Sequence, residues 1–284
     1  MGGDPEEYRE QARARWERSA EGWGARRAQL EQASRPVSAW LVDALRIQPG
    51  QTVLELAAGT GDTGFLAAKL LGPAGKLIST DGAEAMVELA RARAEELGLA
   101  DVVDARPMEA EWIDLPAASV DGVVVRWGYM LLADPGAALR ETRRVLRPGG
   151  RVALAAWDAP DRNRWSSAIG AELVARGLAE PQPPGTPGQF AWADRAHIGE
   201  ELHAAGFTGV ELDTVDFEFR FSDLDAWWDM QIDLAVFLRE ALLALTPAER
   251  DNLREGIEGR IADLVAPDGS VTFGAATHVA AADA

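Results

Sequence analysis

An α/β fold is predicted: a seven-stranded, mostly parallel sheet with helices on both faces, helices ahead of it and a helical segment inserted late. Three observations carry this. From Gln51 to Asp158 short apolar runs alternate with helix-forming stretches, the pattern of parallel strands joined by crossovers. Val53–Gly64 is an apolar run ending in Glu55, then a glycine turn, then a helix former. Two later runs, Phe207–Phe221 and Val271–Ala280, read as strands on either side of apolar and amphipathic helical stretches.

The elements follow in order. Residues from about Pro5 to Leu45 read as helices, with Trp16, Trp23, Trp40, Leu41 and Leu45 set in a charged background. Gln48-Pro-Gly50 is a turn. Strands are expected at Thr52–Leu56, Lys76–Thr80, Val102–Ala105, Gly122–Val125 and Arg151–Ala155, and helices at Thr63–Leu71, Ala83–Leu97 and Gly136–Val145. Gly98 stands where a helix-ending glycine belongs, and Arg147-Pro-Gly-Gly150 turns into the fifth strand. Glu180–Gly188 is a Pro/Gly loop, and Trp192–His203 an amphipathic helix. Ser222 with Asp225 suggests a capping box opening one helix to about Leu245, apolar nearly all round, which must therefore be covered. Thr246-Pro-Ala-Glu249 is a second box, with proline at the first helical position. The organisation expected is a helical cap (1–48), a cofactor core (49–158), a loop, helix and sixth strand (159–222), inserted lid helices (223–266) and a last strand with tail (267–284).

Composition bounds the function. The chain has 284 residues, 47% of them hydrophobic and 26% charged, an ordinary globular balance. Its net charge of -18 disfavours a phosphate backbone or an anionic membrane as partner. With no cysteine there are no disulfides, thiolate metal sites or cysteine nucleophiles, and no metal is expected. Met1–Glu7 lacks the apolar segment of a signal peptide, and no run reaches the ~18 apolar residues of a membrane span. A cytoplasmic enzyme, monomeric or homodimeric, acting on a small-molecule acceptor is expected.

Strand, glycine turn, helix is an arrangement that cradles a nucleotide-like cofactor, so the core is expected to be Rossmann-like. Gly59-Thr60-Gly61-Asp-Thr-Gly64 fits the dinucleotide pattern, and Asp81 falls about 20 residues on, where a ribose-binding acid belongs. NAD is thus a serious alternative. Glu55 weighs against it, because a carboxylate before the turn would lie near two phosphate charges. S-adenosylmethionine is cationic and phosphate-free, and Glu55 could hold its ammonium side, directly or through water.

Glu55-Leu-Ala57-Ala-Gly59-Thr60-Gly61-Asp62 resembles the first motif of class I S-adenosylmethionine-dependent methyltransferases, nearest to the quinone-biosynthesis C-methyltransferase (UbiE-like) branch. Ala57 departs from the general glycine but not from that branch. Ala58 departs from the branch's usual glycine, a minor change if its φ is negative. Ser79-Thr-Asp81-Gly82-Ala-Glu-Ala-Met86 is similar to the second motif, implying Asp81 on the ribose and Met86 against the adenine. Met108–Pro116 followed by Asp121 is similar to the third, implying Glu109 as acceptor from the adenine amino group and the Ala110 N–H toward the ring. Arg126–Pro135 and Arg144–Gly150 match the segments around strands four and five. The resemblance covers about residues 40 to 158. It implies methyl transfer with release of S-adenosylhomocysteine.

The acceptor side is less marked. Tyr129, after strand four, and Asp158, after strand five, are the candidate catalytic residues. Arg126 should line the site through its backbone. His197, His203 and His278 sit in ordinary helix and strand patterns and make weak bases. Trp40, Trp227 and Trp228 read as core, whereas Trp16, Trp23 and Trp127 could wall a cavity and Trp112 adjoins the adenine segment. An aromatic-rich lid suggests a hydrophobic or aromatic acceptor, methylated on O or C. A protein that binds the cofactor without methylating is a further alternative.

Overall fold

A computed structural model describes residues 4–183 and 185–284. Residue 184, within the expected Glu180–Gly188 loop, and residues 1–3 lie outside the described residues.

The amino-terminal segment is one helix, α1 (Pro5–Ala44), where several were expected. The Asp4 side chain caps it by accepting from the Glu6 N–H at 3.0 Å, and Pro5 takes the first turn, where no N–H is needed. Pro36 lies inside the helix without ending it. Leu30, Val37 and Leu41 recur on one stripe and enter the main core. Gly22 permits a close crossing, since a Cβ there would come within 1.9 Å of the Asp233 carbonyl oxygen.

The seven strands are β1 (Thr52–Glu55), β2 (Lys76–Asp81), β3 (Val103–Pro107), β4 (Val120–Arg126), β5 (Leu146–Trp157), β6 (Thr208–Phe221) and β7 (Val271–Asp283). Their order is β3-β2-β1-β4-β5-β7-β6, and only β7 runs antiparallel to its neighbours. Helices α2 (Asp62–Leu71), α3 (Glu84–Glu96) and α4 (Pro135–Val145) make the early crossovers. Strand order reverses between β1 and β4, so the crevice at their carboxyl ends is the expected ligand site. Arg147–Gly150 does not delay β5 as foreseen. Val120 pairs Leu146 and Gly122 pairs Arg151, so the turn bulges out of a longer strand.

The later helices are α5 (Arg164–Ala175), α6 (Arg195–Ala204), α7 (Leu224–Leu234), α8 (Val236–Leu243) and α9 (Pro247–Gly259). Sequence reading missed α5, whose apolar positions are interrupted by Ser166, Ser167 and Gly170. The single helix expected to Leu245 is two, broken at Ala235, which has extended backbone (φ −101°, ψ 91°). Its cap is Asp223, accepting from the Ala226 N–H at 2.8 Å, rather than the Ser222–Asp225 box. The Thr246–Glu249 box forms as expected. Helix α7 packs on α1 and α9 on α5, but α8 is not covered as expected: Phe237 and Leu243 stay exposed. Beyond Trp157, where β5 ends, β6 and β7 continue together to Phe221 and Val271. Among the described residues no helix is long and apolar enough to cross a membrane.

Candidate active site

The glycine turn joins β1 to α2. Glu55 at the end of β1 is buried, its Oε1 accepting the Gly64 N–H at 2.6 Å and its Oε2 the Ser79 hydroxyl at 2.9 Å. Glu55 thus satisfies an orphan donor in the first turn of α2. Burial pushes its carboxyl up to about 7, against the pull of the Gly64 N–H, Ser79 and Arg126. A Cβ on Gly64 would lie 2.1 Å from Glu55 Oε2, so no side chain fits there.

Past Glu55 the backbone turns left-handed three times, at Ala57 (φ 50°), Gly59 (φ 55°) and Gly61 (φ 81°). For Ala57 this conformation costs about 1–2 kcal/mol. Trp127, at the end of neighbouring β4, is also left-handed (φ 61°). Two strained non-glycine residues thus flank the switch point. Ala58 is not among the positive-φ residues, so its side chain is tolerated there. At Gly59 a Cβ would meet nothing within 4 Å, so the turn is open there, whereas at Gly61 it would strike Phe65 at 2.6 Å. Thr60 is buried and donates to Asp62 Oδ2 at 3.3 Å.

Asp81 ends β2 beside this turn. It accepts from the Gly59 N–H at 2.9 Å and the Ala83 N–H at 3.0 Å, so it braces both loops. Burial pushes its carboxyl up, with Glu109 and Glu17 adding to the rise. Glu109 faces Gly82, where a Cβ would lie 3.1 Å from its Oε2, and it pairs with Arg13 of α1 at 2.7 Å. A cavity of about 400 Å³ opens among Arg13, Glu17, Gly82, Glu84, Met108 and Glu109. Ala110 is buried beside it in sequence. Met86 is not in the lining. It is buried with Ala20 and Ala83 beneath Trp16 and Trp23. Glu111 is a structural acid, paired with Arg9 at 2.7 Å and accepting from the Asp134 N–H.

Arg126 points its side chain at α1. Its guanidinium donates to Ser34 Oγ at 2.6 Å and Ser38 Oγ at 3.2 Å, reaches Asp62 Oδ2 at 3.4 Å, and lies over the Trp127 ring. Asp62 escaped sequence reading. It is buried, and its Oδ1 has no hydrogen-bond partner; the Arg93 guanidinium stands 3.6 Å away. An acid directly after Gly61 was the available signal.

Neither candidate catalytic residue is free. Tyr129 is buried in the core, its hydroxyl 2.6 Å from Thr142 Oγ1 and its ring stacked on Trp192. Burial pushes its phenol well above the ordinary range, so it is no base. Asp158 is buried too, accepting the Ala159 N–H at 2.7 Å and standing 3.2 Å from His278 Nε2 and 3.4 Å from Arg162. His278 is itself tied to Thr214 and to the Ala193 carbonyl, both at 3.0 Å. Trp127 stacks on Trp157 with ring centres 4.1 Å apart, and Phe217, Trp165 and Phe219 extend the cluster. Trp112 is exposed under Arg9. A cavity of about 980 Å³ lies against the β6–β7 extension, bordered by Ala33, Pro36, Arg162, Phe217, Phe219 and Ala275.

The segment 37–169 matches the model of the ubiE/COQ5 methyltransferase family. That segment, just under half of the chain, is thus similar to this methyltransferase family. The ubiquinone/menaquinone biosynthesis C-methyltransferase UbiE of Hahella chejuensis is 34% identical over 119 residues, 42% of this chain and 48% of that protein. An uncharacterized 37.1 kDa protein of a Streptomyces fradiae transposon is 40% identical over 133 residues, 44% of this chain and 36% of that protein. These matches thus span less than half the length of the curated relatives. A SAM-dependent methyltransferase from Aquifex aeolicus shares the fold, with a TM-score of 0.50 and 21% identity over 76% of this chain and 93% of that one.

S-adenosylmethionine is the cofactor this similarity implies, and the residues present fit that molecule. The turn is open at Gly59, the Asp62 Oδ1 is an unmatched acceptor, and Glu17, Glu84 and Glu109 surround the smaller cavity with Asp81 beside it. A pyrophosphate near these carboxylates would be repelled. The charge argument therefore rests on this set rather than on Glu55. Among the described residues no group of three or more His, Cys, Asp or Glu could hold a metal ion.

Proposed function

We propose that the chain transfers a methyl group from S-adenosylmethionine to a small hydrophobic or aromatic acceptor, on O or C, by direct displacement. The observation that carries this reading is the meeting of the Gly59–Gly61 turn, Asp81 and Glu109 at the β1/β4 switch point, inside the segment of ubiE/COQ5 type. When bound, the cofactor supplies a methyl group on a cationic sulfur whose leaving form is a neutral thioether. Displacement at that carbon by the acceptor atom would leave the carbon–sulfur electron pair on sulfur, with Asp81 and Glu109 holding the adenosine end.

The chain's own contribution is positional. Asp81 and Glu109 hold the adenosine end, and the strained Ala57–Gly61 turn sets the depth of the methionine end. With Tyr129 and His278 both committed to structural bonds, the acceptor proton goes to water or has already left. The acceptor occupies the cavity of about 980 Å³, near the top of the ~300–1,000 Å³ range of ligand pockets. Phe217 and Phe219 line it, and the Trp127–Trp157 stack adjoins Phe217.

Calorimetric titration tests the cofactor. S-adenosylhomocysteine should bind and NAD should not, and D81A should weaken S-adenosylhomocysteine by roughly 100-fold, the loss of two hydrogen bonds to a charged group. NAD binding without S-adenosylhomocysteine binding refutes the reading. Release of S-adenosylhomocysteine across a panel of phenols and enolisable rings then tests transfer. Cofactor binding with no release from any acceptor favours a non-methylating role.

A further inference from the structure

The amino half of α1 reaches over the smaller cavity from outside the 37–169 segment. Arg13 gives both Nε (3.0 Å) and Nη2 (2.7 Å) to one oxygen of Glu109. Glu17, one turn on, accepts from the N–H groups of Glu84 (2.6 Å) and Ala85 (3.0 Å), capping α3 from another helix. Around them α1 is anchored by one small apolar cluster, Ala20 with Ala83 and Met86 under Trp16 and Trp23, separate from the main core. Such a segment opens more readily than the core beneath it. Its other side is held by ion pairs to the inserted helices, Arg26–Asp233 at 2.5 Å and Arg18–Glu240 at 3.4 Å.

These two side chains do opposite things. Glu17 is a brace: its carboxylate fixes the Gly82–Ala85 turn that follows the ribose-side acid Asp81. Arg13 holds one oxygen, Oε1, of the carboxylate that the cofactor's adenine amino group would use. We propose that Arg13 is a built-in competitor for the adenosine end of the cofactor, released from Glu109 as the cofactor enters, and that Glu17 is a positioning residue for the same pocket. This rests on the S-adenosylmethionine reading of the site. A hydrogen-bond donor on the adenine ring takes the place of the guanidinium. Arg13, already half-exposed, then swings to solvent without being left buried and unpaired.

The test is S-adenosylhomocysteine affinity of the full chain, measured by calorimetry at low and high salt. S-adenosylhomocysteine carries no net charge, so its own salt dependence is small. R13M should bind it about two- to five-fold more tightly than the parent chain, the range of a half-exposed ion pair. The parent should bind more tightly in high salt, which screens Arg13 from Glu109, and R13M should not respond. R13K, which keeps charge but loses the two-pronged donor, should fall between them and serves if R13M does not fold. E17Q should bind a few-fold more weakly with the same salt response as the parent. Unchanged or weaker binding in R13M, or in R13K, overturns the proposal. A folded parent chain that does not bind S-adenosylhomocysteine at all refutes the cofactor reading itself, a distinct result.

Discussion

The two halves of this molecule are specified in different ways. In the proposed cofactor half, residues 49–158, backbone conformation decides which residues are allowed: three left-handed turn positions, a strand-end acid and a glycine that leaves room for it. In the proposed acceptor half, from residue 159 onward, large side chains decide. Trp165, Trp192, Trp227, Phe217, Phe219 and Phe273 fill the space, and buried polar groups such as Asn163 tie loops to strands. The lesson is about tolerance. The first half should fail at single backbone positions. The second should lose stability by graded amounts as contacts are removed.

The sharpest way to break this contrast is Gly64→Val. Its Cβ would collide with Glu55 Oε2 at 2.1 Å and break the bond from the Gly64 N–H. Overpacking costs about 1–3 kcal/mol and a lost hydrogen bond to a charged group about as much again. We expect a loss of about 4 kcal/mol by urea denaturation, with S-adenosylhomocysteine binding abolished. Loss of under about 1 kcal/mol would mean that the turn is as forgiving as the acceptor half.

Next is the pH dependence that Glu55 confers. Its folded carboxyl titrates at about 7, above its ordinary value of 4.5. Between these values the native state holds a proton that the unfolded chain has released. Stability is therefore greatest below about pH 4.5 in this respect and falls as pH rises to 7, by about 3 kcal/mol. E55Q keeps an acceptor for Gly64 and should flatten that slope in urea-derived stabilities from pH 5 to 8. Asp62 and Asp81, also raised by burial, leave a residual slope of the same sign.

In the acceptor half the comparable device is Asn163. Its fully buried amide donates to the Asp158 and Ala276 carbonyls, both at 3.0 Å, and accepts the Ala276 N–H at 3.1 Å. N163A leaves a buried N–H unsatisfied, at a cost of about 2 kcal/mol. The thermal midpoint should drop accordingly, while S-adenosylhomocysteine affinity stays within two-fold. A large loss of cofactor affinity would erase the distinction between the halves.

The same contrast explains what could be read in advance. The succession of strands and helices, the turn at Gly59–Gly61 and the strand-end position of Asp81 were legible, because alternating apolar runs and glycines report backbone geometry directly. Side-chain direction was not. Nothing local says that Glu55 turns to Gly64 and Ser79, that Met86 sinks under Trp16 and Trp23, or that Arg126 reaches to Ser34 and Ser38. Those partners are up to 92 residues distant, and α1 supplies most of them. The break at Ala235 was hidden because a sequence apolar nearly all round keeps no periodicity to mark where one helix stops, and α5 was hidden because Ser166, Ser167 and Gly170 interrupt its apolar run.

Tyr129 is the smallest and most diagnostic case, since position alone made it a candidate for catalysis. It follows β4 at the edge of the crevice, yet its hydroxyl lies 2.6 Å from Thr142 in the core. If that bond is purely structural, Y129F removes one buried pairing and leaves the Thr142 hydroxyl without it, costing about 1 kcal/mol. Turnover and its pH profile should not change, because the ring still stacks on Trp192. If the phenol instead rotates to meet the acceptor, kcat should fall at least tenfold and the profile should shift, whatever happens to stability. Measuring both on one preparation separates the two cases. The first outcome puts the crevice edge with the core and leaves transfer to orientation. The second would make Tyr129 the point where the two halves of the molecule meet in the reaction.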